Sequence, residues 1–469
     1  MRELLPLAVA VMIVVGCPGR PGTSADGIGS AQENWLVTEL MGYRVGYSVT
    51  RAERFAQGWR FESSMRIDVA MLGVDQEVSA QSVTTAGTDL TLQSVSFRYQ
   101  GQDRLLEATA VVQENNLIVK LLGEPARAQN LTEPLYPVEA LGRLVFKRRA
   151  VPGSSFEVSV FDVGTMTTDR VKLEVMDWET VQAGDSSYHA LRVRTTSSVL
   201  STTTWLDSLG MPVVEEAPPG LRSVRSTPAE AVASAGREAG VDLLRMFRVP
   251  VDTTIEAPEA VRRFRFELAG VSADELSPEI GTVTVLDEKL LLVEVVAAEP
   301  PASLAGLPVA GQDSFLSPTM VIQCDAPELR ERAEMLTAGE TDAVAVARAL
   351  AGWVYDYVEK VPTASFPTAL DVLRNPQGDC NEHAVLYAGL ARAAGIPCRV
   401  VVGLVYMERA FYYHAWNEAW LGRWVGVDPT FNEFPASALH LKLSEGDLRE
   451  QARVLPLVGR IAIRALEFE

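Results

Sequence analysis

Between residues 36 and 217, polar and apolar residues alternate in short runs that are separated by turn residues. Examples are WRFESSMRIDVAML (59–72), DLTLQSVSFRYQ (89–100) and RVKLEVMD (170–177). Because successive side chains of a strand point to opposite faces of a sheet, this alternation predicts antiparallel strands with one buried face. We therefore expect residues 36–217 to form one β-rich domain.

A second β region is predicted over residues 218–317. It begins with a connector that contains Pro218-Pro219-Gly220 and continues with a helical stretch over 228–247. Strands are then predicted in VRRFRFELAG (261–270) and in a hairpin, TVTVLDEKLLLVEVVA (282–297).

Helical patterns become frequent after residue 318. Helices are predicted over 327–339, 342–360 and 380–394, and strands follow over 398–406, 411–420 and 424–428. Helices followed by antiparallel strands are typical of an α+β domain, which we expect over residues 318–469. In it, the helix that begins at Cys380 would pack on the sheet.

The segment before residue 36 has the features of an export signal. Arg2 precedes 12 apolar-rich residues from Leu4 to Val15, a run shorter than the ~20 residues that span a bilayer. The sequence Val-Val-Gly-Cys at 14–17 resembles the bacterial lipobox, whose cysteine is acylated. We expect residues 1–16 to be a lipoprotein signal peptide, Cys17 the lipid attachment site and residues 17–35 a flexible tether. An ordinary signal peptide or an uncleaved anchor is the alternative.

Charge and cysteine content narrow the classes of protein. The 61 acidic and 42 basic side chains give a net charge of −19, which disfavours binding to nucleic acid.

If Cys17 carries lipid, three thiols remain. Cys324 and Cys398 could form a disulfide in an oxidising compartment, but two free, buried thiols are the favoured alternative.

The run GDCNEH at 378–383 places a thiol at the start of a helix. Asp379 is a suitable N-cap, and Glu382 completes a capping box. Gly395 then ends the helix. A thiol in the first turn lies at the positive end of the helix dipole, which favours the thiolate.

A histidine and a carboxylate are predicted to meet on a β-hairpin. HAWNEAW (414–420), a three-residue turn and WVGV (424–427) form this hairpin, which leads into Asp428. If Trp420 faces Trp424, Glu418 pairs with Gly426 and Trp416 with Asp428. His414 then lies diagonal to Asp428 on the same face, within hydrogen-bonding reach.

Residues 366–441, through these motifs, closely resemble the transglutaminase-like superfamily, whose core shares its Cys-His-Asp logic with papain-like cysteine proteases. The resemblance implies that Cys380 is the nucleophile, His414 the general base and Asp428 the residue that orients it. It covers about 75 of the 469 residues and implies chemistry more firmly than substrate.

Other residues near the motif have several interpretations. His383 and Trp416 are candidate substrate-binding residues, although a solvated histidine and a packing tryptophan are the alternatives. A zinc site built from Cys380, His383, His414 and Asp428 is disfavoured, because the hairpin and the cap explain these residues without a metal. No cofactor is expected. His189 and His440 are expected to serve packing or surface roles.

These observations predict cysteine-dependent acyl transfer on amide or peptide bonds through a thioester. The expected substrate is a protein, a peptide or a peptidoglycan-stem amide in the bacterial cell envelope, with the protein attached to the membrane by its lipid. Water as acceptor gives a protease or amidase, and a lysine amine gives a transglutaminase. The alternative function is that of a non-catalytic envelope lipoprotein that binds peptides or protein partners.

Overall fold

The computed structural model describes residues 31–71, 73–101, 104–234, 242–363, 365, 367–446 and 448–469. These residues form two compact units: the N-terminal unit, which ends at Asp242, and the C-terminal unit, Leu243–Glu469. Cys17, the predicted signal peptide and most of the predicted tether lie outside the described residues. Within the described parts of the chain, no helix has the length and apolar character needed to cross a bilayer.

One sheet of 15 strands dominates the N-terminal unit. Its strands in chain order are β1 (Gln32–Leu40), β2 (Tyr43–Phe55), β3 (Gly58–Met71), β4 (Val74–Gly87), β5 (Leu92–Gly101), β6 (Arg104–Gln113), β7 (Asn116–Leu121), β8 (Arg127–Asn130), β9 (Leu135–Pro137), β10 (Ser155–Asp162), β11 (Thr167–Ala183), β12 (Ser186–Thr196), β13 (Ser201–Leu206), β14 (Pro212–Ala217) and β15 (Leu221–Ser226). Their spatial order is β8-β7-β6-β5-β4-β3-β2-β1-β15-β14-β13-β12-β11-β10-β9. The neighbouring strands are antiparallel, apart from the parallel pair β9 and β10. The many short alternating runs of the sequence therefore build one continuous sheet.

The alternation in sequence becomes an alternation in burial. Along β5, Val95, Phe97 and Tyr99 are buried, whereas Ser96 and Arg98 are exposed. Fully burying an apolar side chain of this size contributes roughly 2 kcal/mol, which fixes the strand's register.

Two helices accompany this sheet, α1 (Leu141–Lys147) and α2 (Pro228–Ser234), together with a short 3-10 helix (Val138–Ala140). The helix α1 places Leu144 and Val145 in the same buried cluster as Phe61 and Leu173 of the sheet. The apolar stripe of a short helix thus covers part of the sheet's apolar face.

The sheet continues beyond residue 217, where the sequence analysis ended the first domain. Pro218-Pro219-Gly220 is a tight turn, not a connector between domains. Ala217 pairs with Leu221 across it, and Gly220 has a φ of +88°, which favours glycine. Strand β15 then pairs with β1, so the residues assigned to 218–317 divide between the two units.

The C-terminal unit is mixed α and β, as expected for an α+β domain. Its helices are α3 (Leu243–Phe247), α4 (Pro327–Thr337), α5 (Ala343–Tyr357), α6 (Ala369–Arg374), α7 (Cys380–Ala393) and α8 (Leu448–Gln451), with 3-10 turns at Pro258–Ala260, Ala273–Glu275, Asp313–Leu316 and Ala452–Leu457. Its strands are β16 (Val249–Pro250), β17 (Arg263–Ala269), β18 (Thr282–Asp287), β19 (Leu290–Val296), β20 (Glu359–Lys360), β21 (Gln377–Gly378), β22 (Cys398–Met407), β23 (Ala410–Trp420), β24 (Trp424–Val427), β25 (His440–Glu445) and β26 (Ala462–Phe468).

Two antiparallel sheets organise this unit. The first has the order β16-β23-β22-β25, with β24 also paired to β23, and the second has the order β18-β19-β17-β26. Strand β26 pairs with β17 in a register that joins Phe264 to Phe468. The predicted strands of residues 261–297 are therefore completed by a strand from the far end of the chain.

Helix α7 lies against the first sheet. The side-chain amide of Asn417, on β23, donates to the carbonyl oxygen of Ala384 at 3.0 Å. Twelve of the helix's 14 residues are buried, so α7 is enclosed on almost every side. This places its first residue, Cys380, in the interior of the unit.

Three strands of the first sheet share a cluster of ion pairs. The carboxylate of Glu418 accepts from Arg399 Nε at 2.7 Å and from Lys442 Nζ at 2.9 Å. Both cations are 5% exposed and also contact Glu279 and Glu445. The three strands are β22, β23 and β25, which also carry or adjoin the candidate site residues.

Candidate active site

Local sequence explains why Cys380 begins a helix. The carboxylate of Asp379 accepts from the amide of Asn381 at 3.1 Å, and Glu382 Oε2 accepts from the amide of Asp379 at 2.9 Å. This is the predicted capping box, and it is confirmed. The helix ends where expected, since Gly395 has a φ of +89° just beyond Ala394.

The sulfur of Cys380 is fully buried against strand β23. It accepts a hydrogen bond from the amide of Ala415 at 3.4 Å. Ala415 directly follows His414, so helix α7 places the thiol against the backbone of the strand that carries His414. Within the described residues, however, His414 Nδ1 has no hydrogen-bond partner. The thiol and the imidazole are therefore not hydrogen-bonded to each other in this structure.

The predicted hydrogen bond between His414 and Asp428 is present. His414 Nε2 lies 2.7 Å from Asp428 Oδ2, and both side chains are fully buried. The hairpin register was also predicted correctly, because Trp420 pairs with Trp424 and Glu418 with Gly426.

The strand pairing ends one residue earlier than predicted. The last pair of the hairpin joins Asn417 to Val427, and Asp428 pairs instead with Glu433. The expected pair between Trp416 and Asp428 is therefore absent from the ladder. The chain turns away after Val427 because Asp428 and Glu433 exchange backbone hydrogen bonds of 2.9 and 3.0 Å, which close a short loop.

Asp428 accepts four hydrogen bonds. Its Oδ1 accepts from the amides of Thr430 at 2.8 Å and Phe431 at 3.2 Å, and its Oδ2 accepts from His414 and, at 3.0 Å, from His440 Nε2. Burial alone would raise the pKa of this carboxyl. The two histidines outweigh burial and hold its pKa well below the usual range.

An ionised Asp428 determines the tautomer of His414. A carboxylate only accepts hydrogen bonds, so Nε2 of His414 carries the proton. In the neutral ring Nδ1 then has the lone pair. This is the nitrogen that can take a proton from a thiol, as the motif's chemistry requires.

His440 was expected to pack or lie at the surface; it does pack, against Trp416, but its contact with Asp428 was not predicted. It begins β25, is buried, and shares the Asp428 carboxylate with His414. Sequence reasoning missed it because β25 pairs with β22, not with the hairpin that holds His414 and Asp428. His440 lies 12 residues after Asp428, and no local sequence pattern predicts a contact between residues at this spacing.

His383 is buried and is not a solvated residue of the helix surface. Its Nδ1 lies 2.6 Å from the carbonyl oxygen of Asp379 and donates to it, while its Nε2 has no partner among the described residues. Burial lowers the pKa of His383 to about 4, although the hydrogen bond to Asp379 opposes this shift. The ring is therefore neutral near pH 7, with an unsatisfied acceptor.

Trp416 packs against both histidines that share the Asp428 carboxylate. It is 2% exposed, and its ring centroid lies 6.2 Å from that of His414 and 5.3 Å from that of His440. The other face of His414 is covered by Phe431, whose ring is parallel to it at 4.9 Å. Close packing thus accounts for Trp416, as the alternative interpretation held.

Trp420 and Trp424 serve other contacts. The indole of Trp420 donates to the carbonyl oxygen of Ala310 at 3.1 Å, and Trp424 lies 4.0 Å from the guanidinium carbon of Arg399. Of the three hairpin tryptophans, only Trp416 contacts the histidines in the described rings.

The electrostatics of Cys380 differ from the sequence-based expectation. Burial is the largest influence and raises the pKa of the thiol well above its usual range, and the adjacent Asp379 raises it further. The amide of Ala415 offsets only part of this effect. A position at a helix N-terminus does not produce an acidic thiol here, because the site is dry and its cap is made of two carboxyl groups.

The other two described cysteines are free and buried, in agreement with the favoured alternative to a disulfide. The sulfur of Cys324 faces the carbonyl oxygen of Leu316 at 3.4 Å. Burial raises the pKa of Cys398 to about 12, so this thiol is unreactive.

Among the described residues, His414, Asp428 and His440 form a group whose ligating atoms lie within 4.8 Å of one another. Two imidazoles and a carboxylate are a donor set that a transition metal accepts. Here both nitrogens already donate to one carboxylate oxygen, at 2.7 and 3.0 Å. The group is fully explained as a hydrogen-bonded chain.

Comparison with known proteins agrees with the geometry. The family model described as transglutaminase-like superfamily matches a segment that contains Cys380, His414 and Asp428. Residues 330–429 form a transglutaminase-like domain. The four-stranded sheet and strand β25, including His440, lie outside this matched segment.

Three other proteins share parts of the chain. An uncharacterized protein of Mycobacterium leprae (strain TN) is 31% identical over 121 residues, which are 24% of this chain and 42% of that relative. A structure from Cytophaga hutchinsonii, provisionally described as a cysteine protease, is 17% identical and covers 45% of this chain and 89% of its own, with a TM-score of 0.32. A β-barrel-like protein of a domain family of unknown function from Brucella abortus is 14% identical and covers 42% of this chain and 95% of its own, with a TM-score of 0.35. Both TM-scores are below 0.5, and the assignment of the domain rests on the family model.

Proposed function

We propose that the transglutaminase-like domain catalyses acyl transfer from amide or peptide bonds, with Cys380 as nucleophile. The observation that carries the proposal is the hydrogen bond between His414 and Asp428, with the Cys380 sulfur held at the next residue of the same strand. A hydrogen-bonded imidazole and carboxylate beside a thiol are the parts that activate a sulfur nucleophile.

The first half of the reaction forms a thioester. His414 Nδ1 takes the thiol proton, and the sulfur attacks the carbonyl carbon to give a tetrahedral intermediate. As the intermediate collapses, the C–N bond breaks and His414 returns the proton to the leaving nitrogen. Asp428 keeps the other nitrogen of His414 protonated throughout, so the ring accepts and donates only through Nδ1.

The second half of the reaction releases the acyl group. Water or an amine gives a proton to His414 Nδ1 and attacks the thioester carbon, and the Cys380 sulfur leaves and is reprotonated. Water makes the domain a protease or amidase, and a lysine amine makes it a transglutaminase. We favour hydrolysis of a protein, a peptide or a peptidoglycan-stem amide in the cell envelope, because the chain begins with a predicted lipoprotein signal and Cys17.

His383 is our candidate for contact with the substrate. Its Nε2 is a buried acceptor that has no partner in the described part of the chain, and leaving such a group unsatisfied costs free energy. A substrate N–H bound there would satisfy it. We assign Trp416 to packing against His414 and His440, which holds both rings in place.

The site must open before it reacts. Cys380, His414 and Asp428 are each 0% exposed, so a substrate reaches the sulfur only after neighbouring side chains move. The same movement would bring the thiol into contact with His414 Nδ1, since hydrogen bonds in resting active sites often tighten only in the substrate complex.

One set of observations favours the second candidate, a binding module without catalysis. The sulfur is buried, the pKa of its thiol is raised, and it is not hydrogen-bonded to His414. In that case the domain would hold peptides or partner proteins in the envelope without forming a covalent bond to them.

A thioester trap separates the two functions. The protein is incubated with a library of peptides and peptidoglycan-stem fragments, quenched in acid and measured by intact mass. Catalysis predicts an added acyl mass that hydroxylamine removes and that the Cys380→Ser protein does not acquire. Cys398→Ser is the matched control and should acylate normally. Binding of a peptide by wild type and Cys380→Ser alike, with no covalent adduct in either, would establish the binding module.

A further inference from the structure

A second histidine shares the Asp428 carboxylate, and the triad of the motif does not account for it. His440 Nε2 and His414 Nε2 donate to the same atom, Asp428 Oδ2, at 3.0 and 2.7 Å. The carboxylate is thus held between two imidazole rings whose centroids are 6.1 Å apart. A triad needs only one of them.

The far nitrogen of His440 also faces acceptors. Its Nδ1 lies 3.3 Å from both the carbonyl oxygen and the hydroxyl of Ser437, and 4.0 Å from Glu433 Oε2. A ring that donates from Nε2 to a carboxylate and from Nδ1 to a carbonyl carries protons on both nitrogens. The carbonyl contact fits an imidazolium, whereas the hydroxyl of Ser437 can also donate to a bare Nδ1.

The charged groups around this ring support the same protonation state. Asp428 and Glu433 lie on the loop side, whereas His414 and the indole of Trp416 lie on the side of β23. Although burial favours the neutral form, the hydrogen bond to Asp428 and the charge of Glu433 raise the pKa of His440. Two carboxylates therefore face the ring.

We infer that His440 is a positioning residue of the proposed acyl-transfer site: as an imidazolium it holds Asp428 in place and thereby fixes the tautomer of His414. The inference rests on the proposed function for its catalytic meaning. Its physical content, two histidines in different protonation states on one carboxylate, stands on the contacts above.

The two properties of His440 have separate consequences. Its Nε2–H donor fixes Asp428, which keeps His414 protonated at Nε2. Its positive charge helps to hold the pKa of Asp428 low and so keeps that carboxyl ionised. A substitution that removes only the charge should therefore leave the tautomer of His414 in place, and one that also removes the donor should disturb it.

The chain has only four histidines, so imidazole ¹⁵N NMR can resolve each of them. At pH 7 we expect His440 to show two protonated nitrogens, and His414 to show a proton on Nε2 and a bare Nδ1. In His440→Gln, whose amide keeps a donor, His414 should retain this tautomer. In His440→Leu the tautomers of His414 should mix. His189→Gln, in the N-terminal unit, is the control and should leave the tautomer unchanged.

Alkylation of Cys380 by iodoacetamide gives a second readout. The rate is followed by mass spectrometry as a function of pH, with Cys324 and Cys398 in the same protein as internal references. His440→Leu should change the midpoint of Cys380 alkylation, because mixed tautomers of His414 no longer always offer a bare Nδ1 to the thiol proton. Unchanged His189 and His383 resonances show that a variant is folded. If His440→Leu does not fold, His440→Gln is used for the test.

A singly protonated His440 at pH 6 would overturn the inference. So would a folded His440→Leu protein with the wild-type tautomer of His414 and the wild-type midpoint for Cys380. None of these readouts requires turnover. Failure to form a thioester, with the histidine results intact, would therefore refute the proposed function and leave the role of His440 standing.

Discussion

The amide nitrogen of Ala415 lies 3.4 Å from the sulfur of Cys380 and donates a hydrogen bond that ties the thiol of helix α7 to the strand of His414. This contact holds the sulfur against the backbone of strand β23 without engaging His414 Nδ1. Burial keeps the resting thiol neutral by raising its pKa, and the amide of Ala415 offsets only part of that rise.

Removal of the sulfur should abolish covalent chemistry. Cys380→Ala and Cys380→Ser are expected to lose turnover of any peptide or amide substrate by at least about a thousandfold, because the nucleophile acts as a unit with its base. The check is the rate of product formation together with the acyl adduct measured by mass. Cys398→Ser, an equally buried thiol outside the motif, should retain activity within a few-fold; residual wild-type turnover in Cys380→Ala would contradict the mechanism.

Asp428→Asn should impair the base more than the fold. An amide would present N–H groups to two imidazole N–H donors, so His414 would be driven to carry its proton on Nδ1, where the thiol proton must go. We expect kcat to fall on the order of a thousandfold or more, with a smaller change in KM. Steady-state kinetics test this, and ¹⁵N spectra should show the exchanged tautomer; a His414 that keeps its Nε2 proton in Asp428→Asn would argue against the assignment.

The pH dependence of stability should show the contribution of Asp428. Because its folded-state pKa is lowered, it stabilises the fold above the unfolded pKa of about 3.9, and this contribution is lost as the pH falls further. Urea unfolding between pH 5 and 3 should therefore show a steeper decline for wild type than for Asp428→Asn.

His383 should make a separate contribution at higher pH. Its pKa of about 4 lies below the unfolded value near 6.5, so the unfolded chain binds the proton first as the pH falls. The neutral ring of His383 therefore contributes fully to the stability of the C-terminal unit above pH 6.5. This contribution should fall by roughly 3 kcal/mol between pH 7 and 4. His383→Gln, which cannot titrate, should show a correspondingly smaller drop, and His189→Gln should match wild type. Parallel curves for His383→Gln and wild type would show that the ring is not held neutral.

Glu418→Gln should destabilise the C-terminal unit. The carboxylate of Glu418 pairs with Arg399 and Lys442, which are both 5% exposed. Its loss leaves two buried positive charges with fewer negative charges to balance them. We expect a loss of roughly 2–3 kcal/mol in the free energy of unfolding, since breaking a buried pair is costly. The control is Glu328→Gln, which breaks an ion pair with Arg374 whose side chains are both 50% exposed, and it should cost less than about 1 kcal/mol. Equal effects in chemical denaturation would mean that the cluster does not stabilise this unit.

Elements with local causes could be predicted from the sequence. The start of α7 follows from Asp379 and Glu382, and its end from Gly395, each through contacts within a few residues. The hairpin register follows from a short turn between Trp420 and Trp424. The hydrogen bond from His414 to Asp428 could therefore be predicted without knowledge of the remaining fold.

Features with distant causes could not be predicted in this way. The place of His440 depends on how β25 aligns with β22, and the extent of the large sheet depends on β15 returning to β1 across almost 200 residues. The acidity of the Cys380 thiol was misjudged for a related reason. The helix dipole is a local property, whereas the burial that outweighs it comes from the whole unit.

The position of strand β26 at the end of the chain determines how late the second sheet can be completed during synthesis. Its partner β17 is synthesised almost 200 residues earlier. Until Ala462–Phe468 have been synthesised, the edge of β17 that carries Phe264 and Phe266 has no strand to pair with. Long-range pairings of this kind form late and leave apolar edges uncovered in the meantime. A chain truncated before residue 462 should therefore be prone to aggregate. It would contain Cys380, His414 and Asp428 but lack the last strand of the second sheet.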